Sequence, residues 1–123
     1  MDKMPLEQQV VSLELSKQLK EIGYPQEGIF KWTNYTEPGG KTEHWELEPC
    51  YDNHIMTIDC ISPTVAELGE ALPYCIGEPY LNISKDVENY YNVHYGSKVL
   101  VTGTGMGNAL AKMWLYLKKE GLL

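Results

Sequence analysis

Two stretches of the chain place apolar residues at the spacing of one helix face. The first extends from Gln8 to Ile22 and ends before Gly23, a typical helix stop. The second extends from Gly105 to Glu120, with Lys118 and Lys119 near its carboxyl end, where positive charge favours a helix. The apolar positions are Val11, Leu15, Leu19 and Ile22 in the first stretch, and Leu110, Met113, Trp114 and Leu117 in the second.

A shorter helix is predicted between these two, directly after Ser62. Thr64 and Glu67 have the three-residue spacing of a capping box, in which two side chains bind the open backbone amides of a helix start. Pro73 ends the segment. The predicted buried stripe is Val65, Leu68 and Leu72.

The remaining segments alternate between apolar and polar residues, as half-buried strands do. Strands are predicted at Ile29 to Tyr35, around Trp45 and Leu47, at Ile55 to Cys60, and within Tyr80 to Thr102. Residues 1–123 therefore predict a single α+β domain. We expect one antiparallel sheet of about five or six strands, with the three helices packed mainly on one face.

Composition narrows the possible partners. The chain has 123 residues, 43% of them hydrophobic, and its net charge is −7. It contains no arginine; all ten basic residues are lysines. Because arginine supplies the bidentate contacts to guanine and phosphate, and an acidic chain repels the phosphate backbone, we expect no direct nucleic-acid binding. An acidic decoy that blocks a nucleic-acid-binding host protein, in a counter-defence role, remains an alternative.

Three cysteines and the first residues of the sequence favour a cytoplasmic location. The chain has three cysteines, Cys50, Cys60 and Cys75, and no C-x-x-C pair. The disulfide framework of a small secreted protein normally has an even number of cysteines. The first residues lack the basic and apolar regions of a signal peptide, and no apolar run is long enough to cross a membrane. We expect reduced thiols and no membrane association.

The segment from Val99 to Ala109 resembles the strand, glycine turn and helix of a nucleotide site. Gly103, Gly105 and Gly107 give G-x-G-x-G, however, and Asn108 stands where the dinucleotide pattern needs its last glycine. We therefore interpret the segment as a turn that leads into the last helix, and we expect no cofactor.

Other candidate sites lack the spacing that their chemistry requires. The possible zinc ligands His44, Cys50, His54 and Cys60 show no C-x-x-C or H-x-x-x-H pair. Cys75 with His94 could form a dyad, and Glu67 with Glu70 an acid pair, but neither follows a catalytic pattern; Ser62 fits a turn or cap. We assign no catalytic or metal-binding residue. A small enzyme whose site assembles from distant residues remains an alternative.

Tyrosine is unusually frequent, and it suggests where a partner could bind. The chain has nine tyrosines, three tryptophans and one phenylalanine, and tyrosine favours surfaces with one wet end. Tyr91, Val93 and Tyr95 alternate with Tyr90, Asn92 and His94, so both faces of this strand carry aromatic side chains. If the first set is core, Tyr90 and His94 lie on the other face and form a possible protein-interaction surface.

Three blocks of the chain resemble one group of sequences. They are Ser12–Leu15 through Phe30–Trp32, Thr64–Glu70, and Asn108–Met113 through Glu120–Leu123. In these blocks the chain resembles the small uncharacterised proteins of bacteriophages, prophages and related mobile elements. The resemblance implies an origin and carries no activity. With the absence of a catalytic pattern, it leads us to expect a non-enzymatic domain that binds an unknown protein partner or self-associates.

Overall fold

The computed structural model describes residues 9–50, 59–85, 90–97 and 99–123. Their fold is α+β, as predicted, with three named helices and six strands. The helices are α1 (Leu13–Ile22), α2 (Val65–Ala71) and α3 (Met106–Lys119). The strands are β1 (Phe30–Asn34), β2 (Trp45–Pro49), β3 (Cys60–Ile61), β4 (Leu81–Lys85), β5 (Tyr90–Tyr95) and β6 (Val99–Thr104). None of the described helices is both long and apolar enough to span a membrane.

The first helix begins later than its apolar pattern predicts. Val10 forms an antiparallel bridge with Thr64, and Ser12 caps the helix by accepting the Leu15 N–H. The chain is therefore not helical from Val10 to Ser12, although Gln9 before them is helical, and Gln8 lies outside the described residues. At the other end Gly23 has a φ of 103°, the left-handed conformation that ends many helices.

The predicted capping box is present at the start of α2. The Glu67 N–H donates to the Thr64 hydroxyl at 3.1 Å, and the Thr64 N–H donates to the Glu67 carboxylate at 2.9 Å. The helix ends at Ala71, two residues before Pro73, and it buries Leu68 completely. Local sequence chemistry thus defines both ends of this short helix.

The strands form two sheets, and the prediction of one continuous sheet was wrong. The first sheet has the order β2-β1-β3 and the second β4-β5-β6, each antiparallel. Of the third predicted strand the structure describes its end: Asp59 is not in a strand, and β3 contains Cys60 and Ile61, which pair with Trp32 and Lys31 of β1. Residues 55–58 of that predicted strand lie outside the described residues. Helix α2 follows β3 directly, and the chain then begins a separate meander.

Helix α3 lies at the centre of the fold. One side packs on β5 and β6 of the second sheet, and the other contacts α1 and α2. Eight of its residues are buried: Gly107, Ala109, Leu110, Ala111, Met113, Trp114, Leu115 and Leu117. Such wide burial requires apolar side chains around most of the helix. Among the described elements α3 makes the extensive contacts with the second sheet, whereas α1 contacts β3 of the first sheet, so the helices do not share one sheet face as we had predicted.

Candidate interaction surface

Strand β5 separates the core from an open surface. Tyr91, Val93 and Tyr95 are buried against α3, while the alternate residues point to the opposite side of the sheet. Tyr90 is 50% exposed and His94 is half-buried. The structure therefore places both residues of the predicted interaction surface on the side away from the core.

Strand register shows which residues surround them. His94 lies between Asn82 of β4 and Leu100 of β6, and Tyr90 lies opposite Thr104. On the same side of β5, Asn92 lies between Tyr90 and His94. We call this surface the outer face; its described residues are Asn82, Ser84, Tyr90, Asn92, His94, Leu100, Thr102 and Thr104. It is an amide- and hydroxyl-rich surface with one exposed aliphatic side chain.

The described part of the outer face contains no aspartate, glutamate or lysine. Across the whole chain, 22% of residues are charged, and charged side chains normally make up about a quarter or more of a protein surface. Charge depletion is the compositional mark of interface cores. The outer face thus has the composition of a contact surface.

Two exposed apolar features were not predicted from the sequence. Leu100 is 64% exposed, although the segment Val99–Val101 is apolar throughout and does not show which side faces water. Tyr74 and Tyr80 are 73% and 63% exposed, and their rings lie 5.8 Å apart. Tyr80 directly precedes β4 and alternates in step with Asn82, so the tyrosine pair extends the outer face beyond the sheet.

A shallow groove crosses one end of the outer face. It has a volume of about 380 Å³ and is lined by Ser84, Asn92, His94, Gly96, Ser97 and Leu100. These residues offer hydroxyl, amide and imidazole groups around an aliphatic side chain, and no described lining residue is a carboxylate or a thiol. The groove suits hydrogen bonds and apolar contact with another molecule.

Contacts on the core side of the second sheet hold the strands of the outer face in place. The buried Tyr95 donates its hydroxyl hydrogen to the Pro73 carbonyl at 2.5 Å, and burial raises the pKa of Tyr95 to about 12. Gly96 turns with a φ of 57° and lies so close to Pro79 that a Cβ atom would come within 2.9 Å. On the β6 side, Lys112 of α3 donates to the Thr102 carbonyl at 3.2 Å. The strands that carry the tyrosines and amides of the outer face are therefore fixed by buried packing and hydrogen bonds.

The dyad considered from the sequence is not brought together. Cys75 lies near Tyr95, where a thiolate would disfavour the tyrosinate, whereas His94 points to the other side of the sheet. Ser62 is buried and donates its hydroxyl hydrogen to the Val11 carbonyl at 2.6 Å. Glu67 is engaged in the capping box. These contacts give a structural role to Ser62 and Glu67.

The possible zinc ligands are also separated by environment. His44 is exposed, Cys50 is half-buried and Cys60 is buried, while His54 lies outside the described residues. Among the residues that the structure describes, no three His, Cys, Asp or Glu side chains form a group that could hold a metal ion. Burial raises the pKa of both Cys50 and Cys60, which favours the thiol over the metal-binding thiolate.

Each glycine of the G-x-G-x-G segment has a structural reason. A Cβ atom on Gly103 would lie 2.9 Å from the backbone of Ala109, and one on Gly107 would lie 2.9 Å from the Val10 carbonyl oxygen. Gly105 has a φ of 81° and begins α3. Asn108 accepts the Ser12 N–H at 2.8 Å, which joins the starts of α1 and α3. The spacing thus follows from close backbone packing, without a requirement for a ligand.

Acidic residues within the described ranges are spread over several elements. Glu14 and Glu21 belong to α1, Glu46 and Glu48 to β2, and Glu70 to α2. Some carboxylates bind neighbouring groups: Asp59 is buried beside Lys31, and Glu48 accepts from Thr33 and Tyr35. No single described element carries the acidic charge.

In comparisons with known proteins, no family model, curated protein or solved structure matches the chain.

Proposed function

We propose that this protein is a non-enzymatic binding domain that contacts another protein through the outer face of its second sheet. The observation that carries the proposal is the lack of charge on the described outer face of a chain whose net charge is −7. Exposed Tyr90 and Leu100 lie at opposite ends of that face, with amides and hydroxyls between them.

The chemistry of these side chains supports protein binding. Tyrosine contributes large contact area with few rotatable bonds, and it is enriched at protein interfaces. Asn92 and His94 can donate and accept hydrogen bonds across a contact. A partner that covers Leu100 removes apolar surface from water, at about 25 cal/mol for each Å² buried.

The resemblance to small phage and prophage proteins supports an origin in a mobile element as part of the same proposal. Proteins encoded by such elements act in a host cell, so a host protein is one class of partner. An acidic decoy receives less support, because it would give the uncharged described outer face no role. An enzyme built around His94 also receives less support, since its groove presents no described acid or thiol partner.

A capture experiment with matched variants tests the proposal. Immobilised wild-type protein, Leu100→Lys and Ile29→Lys are exposed to an extract of host cells and to a concentrated solution of the protein itself. Leu100 and Ile29 are 64% and 57% exposed, so both substitutions exchange an exposed aliphatic side chain for the same cation. We expect wild type and Ile29→Lys to retain the same protein and Leu100→Lys to lose it. Equal retention by all three, or by none, would refute the proposal.

A further inference from the structure

We infer that the protein bound by the outer face is a second copy of this chain, which forms a weak symmetric dimer. The inference rests on the proposed function and adds the identity of the partner. Each copy has a net charge of −7, so two copies repel one another at long range. A contact between them must overcome this repulsion.

Repulsion between identical molecules is smallest where the facing surfaces carry no charge. The described outer face meets that condition, whereas α1, β2 and α2 all carry glutamates. A symmetric dimer uses the same patch on both copies, so a patch with a net charge of one sign would meet the same sign on the other copy. A basic partner would instead be attracted to the glutamate-bearing elements, and a neutral face offers it no electrostatic advantage.

The outer face is also complementary to the same face of a second copy. Its polar side chains, Asn82, Ser84, Asn92, Thr102 and Thr104, are amides and hydroxyls that both donate and accept hydrogen bonds. Two copies of such a surface can therefore satisfy each other. A two-fold axis that runs across the strands brings Tyr90 of one copy toward the His94–Leu100 end of the other, because these residues occupy opposite ends of β5 and its neighbour.

The size of the sheet limits the strength of the contact. Three strands of five or six residues cover about 20 Å by about 14 Å, or about 300 Å² in projection. Stable interfaces bury about 800 Å² on each partner. Even with Tyr74 and Tyr80 beside the sheet, the contact is small, so the dimer dissociates readily and is populated only at high protein concentration.

The salt dependence of the association is the distinguishing property. Added salt screens the repulsion between two acidic copies, with a Debye length near 30 Å at about 0.01 M and near 3 Å at about 1 M. The buried contact itself contains no described charge. Association therefore strengthens as salt is added, the opposite of a complex between an acidic protein and a basic partner.

Sedimentation velocity across a range of protein concentrations, at about 0.01 M and about 1 M salt, tests the inference. We expect a reversible monomer–dimer equilibrium in which the association constant rises about tenfold or more at high salt. Leu100→Lys and Tyr90→Lys should weaken it about tenfold or more, and Ile29→Lys should leave it unchanged. The two weakening variants lower the net negative charge, so greater overall repulsion cannot explain their effect. Circular dichroism checks that each variant is folded.

The outcomes separate this inference from the proposed function. A wild-type monomer at every concentration and salt would overturn the dimer; if the cell extract then yields a protein that Leu100→Lys fails to retain, the proposed function stands with another partner. A dimer that Leu100→Lys and Tyr90→Lys leave intact would overturn the inference and show that the copies meet elsewhere. Failure of both the dimer and the capture would overturn both claims.

Discussion

The first turn of α3 lies directly against the carbonyl group of Val10, and only a glycine at position 107 permits this approach. A Cβ atom on Gly107 would lie 2.9 Å from the Val10 carbonyl oxygen. Val10 is itself held by its bridge to Thr64. The contact therefore joins α3, the segment before α1 and the start of α2 at one point of the core.

Substitution of Gly107 by alanine should destabilise the fold by about 1–3 kcal/mol, because backbone rather than a flexible side chain must move. The matched control is Gly69→Ala in α2, where an added Cβ meets nothing within 4 Å. Alanine at that helical position should leave the free energy of unfolding unchanged or raise it by up to about 1 kcal/mol. Urea unfolding of both variants measures the difference. Equal effects would contradict the close packing at Gly107.

The α2 capping box was predictable because it depends on residues three positions apart. Thr64 and Glu67 meet their amides as the local pattern indicates. The division into two sheets depends instead on pairings between distant residues, such as Trp32 with Cys60 and Val93 with Val101. Alternation predicts which side chains share a face, but it does not identify the neighbouring strand.

The same limit applies to the outer face. The alternation around Tyr90 and His94 is visible in the sequence, so these residues could be proposed as a surface. Leu100 could not, because Val99, Leu100 and Val101 are all apolar and only the register of β6 turns Leu100 outward. The lack of charge on the face became visible only when three strands were aligned.

Removal of the α2 cap should have a measurable cost. Thr64→Ala leaves the Glu67 N–H without its hydroxyl acceptor and should reduce the free energy of unfolding by about 1 kcal/mol, within the usual range of about 0.5–2. Thr102→Ala, at an exposed strand position, serves as the control and should change it by less than about 0.5 kcal/mol. A cost for Thr64→Ala no greater than that of the control would show that the capping box contributes little.

Two lysine–carboxylate pairs should differ in their contribution to stability. Lys31 lies 3.5 Å from Asp59, whose side chain is 1% exposed, whereas Lys17 lies 3.3 Å from the exposed Glu43. Lys31→Ala removes a cation from beside a buried carboxylate, which still accepts the Asn34 N–H, and it should cost about 3 kcal/mol. Lys17→Ala should cost less than about 1 kcal/mol. Thermal or urea unfolding compares them, and a larger cost for Lys17→Ala would contradict the assigned burial.

Stability should fall in alkaline solution. Burial raises the pKa of Tyr24 and of Tyr95 to about 12, from an ordinary value of 10.0, and it also raises the pKa of Cys60. Below the ordinary pKa values the folded and the unfolded chain both keep these protons, so the contribution of these groups to stability is fully present. Above them the unfolded chain loses protons first, so stability declines as the pH rises toward the folded-state values.

Urea unfolding between about pH 8 and about pH 11 measures this decline. Tyr95→Phe removes one of the titrating groups and should make the decline shallower. It also removes the hydrogen bond to Pro73 and so lowers stability at every pH. The slope against pH is therefore the relevant quantity. A slope identical to that of the wild type would contradict the role of Tyr95 in the alkaline loss.

The central claim is that the outer face of the second sheet is covered by another protein molecule. Amide NMR spectra of isotope-labelled protein, recorded alone, with excess unlabelled protein and in host-cell extract, test it residue by residue. The account predicts that signals of Tyr90, Asn92, His94, Leu100 and Thr102 shift or broaden in at least one mixture, while Ile29 and Tyr116 remain unchanged. Signals that stay constant in both mixtures, or that move only outside β4, β5 and β6, would contradict it.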